Sequence, residues 1–366
     1  MKIVISGGGT GGHIYPAIAI ANAIRVLHPN TEILFIGAEG KMEMEKVPQA
    51  GYAIEGLPIR GFDRSALLKS AFTVPFLLWK SLRKARRILQ QFKPDVAIGV
   101  GGYASGPTLR VASRLGIPTL IQEQNAFAGL TNQLLGKRAA KICVAYEGME
   151  QFFPKATLRL TGNPVRNDIA TDLEKKKATA LQYFGLSANS PIILVFGGSL
   201  GARTLNEALA NNSSLLGTAK VQVLWQAGKI YIEKFSQTET ARLPNVVIMP
   251  FIDKMDLAYA AADVIIGRAG ALTIAELCLV GKPAILVPSP NVSEDHQTKN
   301  AVALVTKDAA ILVKDQEAST QLIPKALALL QDTELRARLA SQIKLLAKPN
   351  AAEDIAKEVL ELVKNP

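Results

Sequence analysis

Lys2-Ile3-Val4-Ile5-Ser6-Gly7-Gly8-Gly9-Thr10-Gly11-Gly12-His13 reads as an apolar strand, a glycine-rich turn and the opening of a helix. The same arrangement returns in the second half as Ile192-Ile193-Leu194-Val195-Phe196-Gly197-Gly198-Ser199-Leu200-Gly201-Ala202-Arg203. A strand–glycine loop–helix unit can aim backbone N–H groups at a phosphate or a sugar. Two of them predict two nucleotide-binding-type α/β domains in one chain.

Around these loops the N-terminal half alternates short apolar runs with amphipathic stretches. Ile3–Ile5, Glu32–Gly37, Asp95–Val100, Thr119–Glu123 and Lys141–Ala145 read as strands, and Pro16–Leu27 as a helix. Runs of this kind between helices predict a doubly wound parallel sheet with helices on both faces. The pattern pauses at Thr161-Gly162-Asn163-Pro164-Val165-Arg166, a turn signal followed by the polar stretch Asp172–Lys177. A first domain over residues 1–163 and a second over 164–345 follow. The second carries strands at Ile192–Phe196, Gln222–Gln226, Val246–Met249, Val264–Ile266 and Ala284–Val287, with helices at Thr273–Val280 and Lys299–Thr306. After the break Lys348-Pro349-Asn350, residues 346–366 hold a last helix over Ala351–Lys364.

With 366 residues, 48% hydrophobic and 20% charged, the chain has the composition of a folded protein of two ordinary domains. It contains no apolar run of spanning length. The start directly in a strand argues against a signal peptide. Cys143 and Cys278 lie in apolar surroundings and read as buried free thiols of a reducing compartment.

The formal charge is +11, and its distribution is uneven. Arg64, Lys69, Lys80, Arg83, Lys84, Arg86, Arg87 and Lys93 fall in a stretch without Asp or Glu, interleaved with Phe72-Thr73-Val74-Pro75-Phe76-Leu77-Leu78-Trp79. Apolar and aromatic residues beside a basic cluster suit an anionic membrane surface. The alternative is a surface helix with a basic outer face whose Phe76, Leu77 and Trp79 are core. No nucleic-acid-binding module is recognisable, so nucleic acid is not an expected partner.

Four constellations carry candidate chemistry. The first loop lacks the Lys-Ser/Thr ending of a P-loop. His13, at a helix start, is held neutral by the positive end of the helix and so can accept a proton; packing under the loop is the alternative. Ser199 and Arg203 give the second loop the features of a phosphate cradle, or of a tight turn without ligand. Arg268-Ala269-Gly270-Ala271-Leu272-Thr273-Ile274-Ala275-Glu276 opens a helix that could hold a diphosphate. A helix beginning at Thr273 puts Glu276 in its first turn, where it could take both hydroxyls of a ribose or merely complement the dipole. Asp295-His296-Gln297-Thr298-Lys299-Asn300 is a sugar-reading segment or a solvated helix start. No HExxH, cysteine cluster or D-x-D is present, so no metal is expected.

Taken in order, G-G-G-T-G-G-H, G-G-Y-A-S-G-P (101–107), Q-E-Q-N (122–125), G-N-P-V-R (162–166), G-G-S-L-G-A-R, F-I-D-K-M (251–255), R-A-G-A-L-T-I-A-E and H-Q-T-K-N-A resemble the MurG family, bacterial UDP-GlcNAc transferases of peptidoglycan synthesis. The resemblance runs through both halves. It implies the GT-B architecture, two Rossmann-like domains facing a central cleft, with the last helix returning to the first domain. It implies an inverting, metal-independent transfer of GlcNAc from UDP-GlcNAc to the 4-hydroxyl of lipid I, an undecaprenyl-diphosphate-linked MurNAc-pentapeptide, giving lipid II. UDP-GlcNAc is then a substrate, and no cofactor is implied. Ile252 backbone atoms would read uracil and Glu276 the ribose. Ser199 and the helix start at Ala271, Leu272 and Thr273 would hold the diphosphate, and Arg268 would belong to the same donor site. Gln297, Asn125, Arg166, Thr10, Gly11 and Gly12 would complete the donor site, with His13 as base.

The acceptor places Phe76, Leu77, Trp79, Lys80, Arg83, Lys84, Arg86 and Arg87 on anionic lipid at the cytoplasmic face of the inner membrane. His296 and Leu200 depart from the residues common in the family, where Gln is frequent. Transfer to another lipid such as diacylglycerol, a UDP-GlcNAc 2-epimerase, and a sugar-nucleotide binder without turnover are the competing readings.

Overall fold

The computed structural model describes residues 1–59 and 67–364, with the side chains of 67–74, Asn167, Ser293 and Lys364 left undescribed. Arg64 therefore lies outside the described residues, and the side chains of Lys69 and Phe72 do too. The chain divides into two compact units, Met1–Val165 with Asn350–Pro366, and Arg166–Pro349.

The first unit contains β1 (Lys2–Ser6), α1 (Gly11–Leu27), β2 (Glu32–Ala38), α2 (Glu43–Gln49), β3 (Ala53–Leu57) and α3 (Leu67–Phe92). It continues with β4 (Val96–Gly99), α4 (Ser105–Arg114), β5 (Thr119–Glu123), α5 (Leu130–Gly136), β6 (Lys141–Val144) and β7 (Leu158–Leu160). These strands form one parallel sheet in the order β3-β2-β1-β4-β5-β6-β7. Strands β4, β5 and β6 are buried along their whole length, as parallel strands covered on both faces must be.

The second unit contains α6 (Leu173–Phe184), β8 (Ile192–Phe196), α7 (Arg203–Ala210), α8 (Ser213–Thr218), β9 (Gln222–Gln226), α9 (Ile232–Phe235), β10 (Val246–Met249) and α10 (Met255–Ala261). Then come β11 (Val264–Gly267), α11 (Ala271–Val280), β12 (Ala284–Leu286), α12 (His296–Val305), β13 (Ile311–Leu312), α13 (Ala318–Gln331) and α14 (Thr333–Leu345). Its parallel sheet has the order β10-β9-β8-β11-β12-β13.

The last helix, α15 (Ala351–Lys364), packs against α1 within the first unit. Ile355, Ala356, Val359 and Leu362 join Ile14, Ile20 and Ile24 in one core. Lys141 on β6 pairs with Glu358 and Glu361 of α15.

In both sheets the order in which strands are added reverses beside the first strand. In the first unit the reversal lies between β1 and β4, in the second between β8 and β11. Ligands of open α/β sheets bind beyond the carboxyl ends of the strands at such a reversal. Each glycine loop occupies that position.

The edge strands β3, β7 and β13 escaped the sequence reading. β3 and β7 carry charged residues that look like loop, and β13 is only the two residues Ile311–Leu312. Helix α1 begins at Gly11 rather than Pro16, because extended Thr10 offers its carbonyl to the N–H groups of His13 and Ile14.

Candidate active site

In the first unit the loop after β1 fits where a side chain cannot. A Cβ on Gly8 would lie 2.1 Å from Oε1 of Glu43. His13 sits in the first turn of α1, with Nδ1 3.2 Å from the carbonyl oxygen of Gly8 and 3.2 Å from Oγ1 of Thr10. A carbonyl only accepts, so Nδ1 carries a proton, which in the neutral form of the ring puts the lone pair on Nε2. The ring edge packs over Gly101, where a Cβ would lie 2.8 Å from Nε2. Thr10 and Gly12 are exposed and Gly11 half-buried beside it.

Asn125 follows β5 and is oriented by Glu123. Oε1 of Glu123 accepts from the Asn125 backbone N–H at 3.0 Å, and Oε2 accepts from Gly129 N–H and Asn132 Nδ2. Burial raises the Glu123 carboxyl above its ordinary value, and these donors oppose the shift. The sequence shows Glu123 at a strand end and within the Q-E-Q-N motif, with no task of its own.

In the second unit Ser199 is exposed on the loop after β8. Buried Gln226, at the end of β9, straps this loop down: Nε2 donates to the Gly198 carbonyl at 2.8 Å, and Oε1 accepts from Ile252 N–H at 3.1 Å. The Ile252 N–H is thus already engaged, leaving its carbonyl as the backbone group to present.

Helix α11 starts at Ala271, with extended Gly270 before it and no side-chain cap. Ala271, Leu272 and Thr273 are its first three residues, and each is half-buried. Glu276 therefore lies in the second turn, not the first; the helix reaches back to Ala271 because Gly270 ends the preceding extended segment.

The hydroxyl of buried Tyr259, on α10, donates to Oε2 of Glu276 at 2.9 Å. Loss of hydration raises the Glu276 carboxyl above its usual range, while Tyr259 and the charge of Arg166 pull the other way. Arg166 itself is exposed, its Nε 3.9 Å from Asp168.

Arg268 has partners of its own. Its Nη1 donates to the carbonyls of Val287 and Pro288 and pairs with Asp315 at 2.5 Å. Through Nη1 it braces the loops after β11 and β12. Gln297, on the first turn of α12, accepts from Ser289 N–H at 2.8 Å through Oε1, which leaves its NH2 to donate elsewhere.

On α3, Ala85, Ile88 and Leu89 enter the core while Phe76 and Trp79 stand outside it, 54% and 51% exposed. The core reading of these two rings is thereby corrected: they lie on the face turned from the buried residues. Their rings stack 6.3 Å apart, with Lys80 over Phe76 and Arg83 over Trp79. Leu77 is half-buried, Arg86 and Arg87 are exposed, and Lys84 pairs with Glu39 at 2.9 Å. No described helix is long and apolar enough to cross a membrane.

Residues 3–144 match the glycosyltransferase family 28 N-terminal domain, and residues 192–359 match the glycosyltransferase family 28 C-terminal domain. The chain belongs to glycosyltransferase family 28.

Among family 28 relatives, a Parabacteroides distasonis protein is 54% identical over 99% of this chain and 98% of its own length. It is named UDP-N-acetylglucosamine–N-acetylmuramyl-(pentapeptide) pyrophosphoryl-undecaprenol N-acetylglucosamine transferase. A Flavobacterium psychrophilum protein of the same name is 53% identical over 100% of this chain and 98% of its own. The crystal structure of Acinetobacter baumannii MurG superposes with a TM-score of 0.79 at 29% identity, covering 98% of this chain and 99% of that one. The family 28 fold is thus the GT-B type, built here from the two parallel-sheet units.

Proposed function

We propose that this family 28 chain transfers GlcNAc from UDP-GlcNAc to the 4-hydroxyl of the MurNAc-pentapeptide of lipid I, giving lipid II for peptidoglycan synthesis. The observation that carries the reading is its similarity, over nearly its whole length, to transferases named for that reaction.

The second unit holds the donor. Glu276 takes the ribose hydroxyls, the Ile252 carbonyl reads the uracil, and Ser199 with the α11 start at Ala271, Leu272 and Thr273 takes the diphosphate. Gln297 contacts the sugar, and Asn125, Thr10, Gly11 and Gly12 are further donor-binding residues of this reading. Arg268 belongs to the same donor site and braces its loops through Nη1.

The acceptor hydroxyl forms a bond to the anomeric carbon as the bond to UDP breaks, with inversion. His13 Nε2 takes the hydroxyl proton, and the negative charge passes to the departing diphosphate. Helix-start N–H groups and Arg166 stabilise that charge without a metal. Phe76, Leu77, Trp79 and the cations Lys80, Arg83, Lys84, Arg86 and Arg87 seat the protein on anionic lipid at the cytoplasmic face of the inner membrane.

The test is transfer of labelled GlcNAc from UDP-GlcNAc to a lipid I analogue, with and without chelator. Lipid II forming at the same rate in both is the expected result. Activity lost on chelation overturns the metal-free part. Conversion of UDP-GlcNAc without acceptor, or preference for diacylglycerol, overturns the reaction. His13→Ala is expected to lower turnover roughly a hundredfold or more, with donor affinity unchanged.

A further inference from the structure

Glu43 is an acidic side chain that none of the proposed chemistry uses, yet it is 1% exposed. It is the first residue of α2, and its carboxylate lies beneath the first glycine loop. Oε2 accepts from the Gly9 N–H at 2.9 Å, and Oε1 accepts from the Ala38 N–H at the end of β2 at 3.0 Å. Its side chain passes through a slot that only glycines leave open. A Cβ on Gly8 would meet its carboxylate, and one on Gly37 would lie 2.6 Å from its Cγ.

Two consequences follow from these contacts. A loop that would otherwise turn its N–H groups toward an anion has given the Gly9 N–H to an internal carboxylate. The negative charge beneath it disfavours a diphosphate there. The contact also fixes the peptide on either side of Gly8 and Gly9. The Gly8 carbonyl is the group that holds Nδ1–H of His13.

We propose that Glu43 is a positioning residue of the transfer reaction: it clamps the glycine loop so that the Gly8 carbonyl keeps the His13 proton on Nδ1 and the lone pair on Nε2. The proposal rests on the reading of His13 as the base. Glu43 acts through the loop backbone and touches no substrate.

The conservative variant Glu43→Gln separates this role from bulk. It keeps the volume but has one accepting oxygen for two N–H groups, so Gly9 or Ala38 loses its partner. The full chain is assayed with UDP-GlcNAc and a lipid I analogue as wild type, Glu43→Gln, His13→Ala and the double variant. The expected result for Glu43→Gln is a kcat lower by roughly 10- to 100-fold with the donor KM near wild type. In the His13→Ala background the same substitution costs nothing further.

Unchanged kcat in Glu43→Gln, or an equal loss in both backgrounds, overturns the proposal. So does a donor KM that rises with the loss of kcat. Wild-type turnover in His13→Ala overturns the base assignment instead. If Glu43→Gln does not fold, nitrogen-15 chemical shifts of the wild-type histidines supply the readout. A single Nδ1–H tautomer at His13 supports the clamp, and an Nε2–H tautomer overturns it.

Discussion

The Tyr259 hydroxyl donates to Oε2 of Glu276 across 2.9 Å, joining the second turn of α11 to the interior of α10. Burial first, and the adjacent carboxylate second, hold the phenol proton well above its ordinary pKa, so Tyr259 is the donor at every physiological pH. Tyr259→Phe removes one hydrogen bond to a charged group and leaves the ring packed against Phe196. Such a bond is worth about 1.5–3 kcal/mol. The donor KM should therefore rise roughly tenfold or more with kcat nearly unchanged, read by initial rates at saturating acceptor.

Glu276 gives donor binding a pH dependence of definite sign. Its carboxyl is raised above 4.5 chiefly by burial, and it must be ionised to accept from two ribose hydroxyls. UDP affinity should fall on acidification while the pH is still above the ordinary carboxylate range, as titration calorimetry would record. The unliganded protein responds oppositely. A raised folded pKa contributes stability that is full below the unfolded pKa and is lost as pH rises through the folded one. Glu276→Gln should flatten both responses.

Helix α15 belongs energetically to the first unit. Ile355 is fully buried in the core that contains Ile14, Ile20 and Ile24. Ile355→Ala should cost about 2–5 kcal/mol, the range for a truncated core aliphatic. Val26→Ala, at a site 80% exposed, should change the melting temperature little. Thermal melts of the two variants compare them directly.

The stacked Phe76 and Trp79 make a distinguishable pair of predictions for vesicle binding. Phe76→Ala with Trp79→Ala should weaken sedimentation with anionic and neutral vesicles alike, since apolar burial is lost. Arg83→Gln with Arg86→Gln and Arg87→Gln should weaken it only on anionic vesicles, by about 1 kcal/mol per cation and less at high salt. Equal binding by all variants would remove the membrane role of α3.

Both glycine loops were legible in the sequence because a strand, a turn and a helix start are local patterns. Glycine marks positive φ and close approach, and Ile3–Ile5 and Ile192–Phe196 are continuous apolar runs. The family resemblance rested on the same short motifs. The edge strands were not legible, since β3 and β13 gain their pairing from neighbours and not from their own composition. The start of α11 was misread by two residues because Gly270 ends one conformation and Ala271 begins another without a capping side chain.

Local pattern alone specifies two parallel α/β units headed by glycine loops, with His13, Ser199 and Glu276 as chemistry-bearing residues. Strand order comes from packing across the chain, and it sets each loop where the order of its sheet reverses. Packing also decided which buried group each loop meets: Glu43 under Gly9, Gln226 under Gly198, Tyr259 beside Glu276. Periodicity and glycine placement act over a few residues. These partnerships span longer separations in the chain and exist because a buried carboxylate, carboxamide or phenol must find a hydrogen-bond partner wherever the packed sheet brings one.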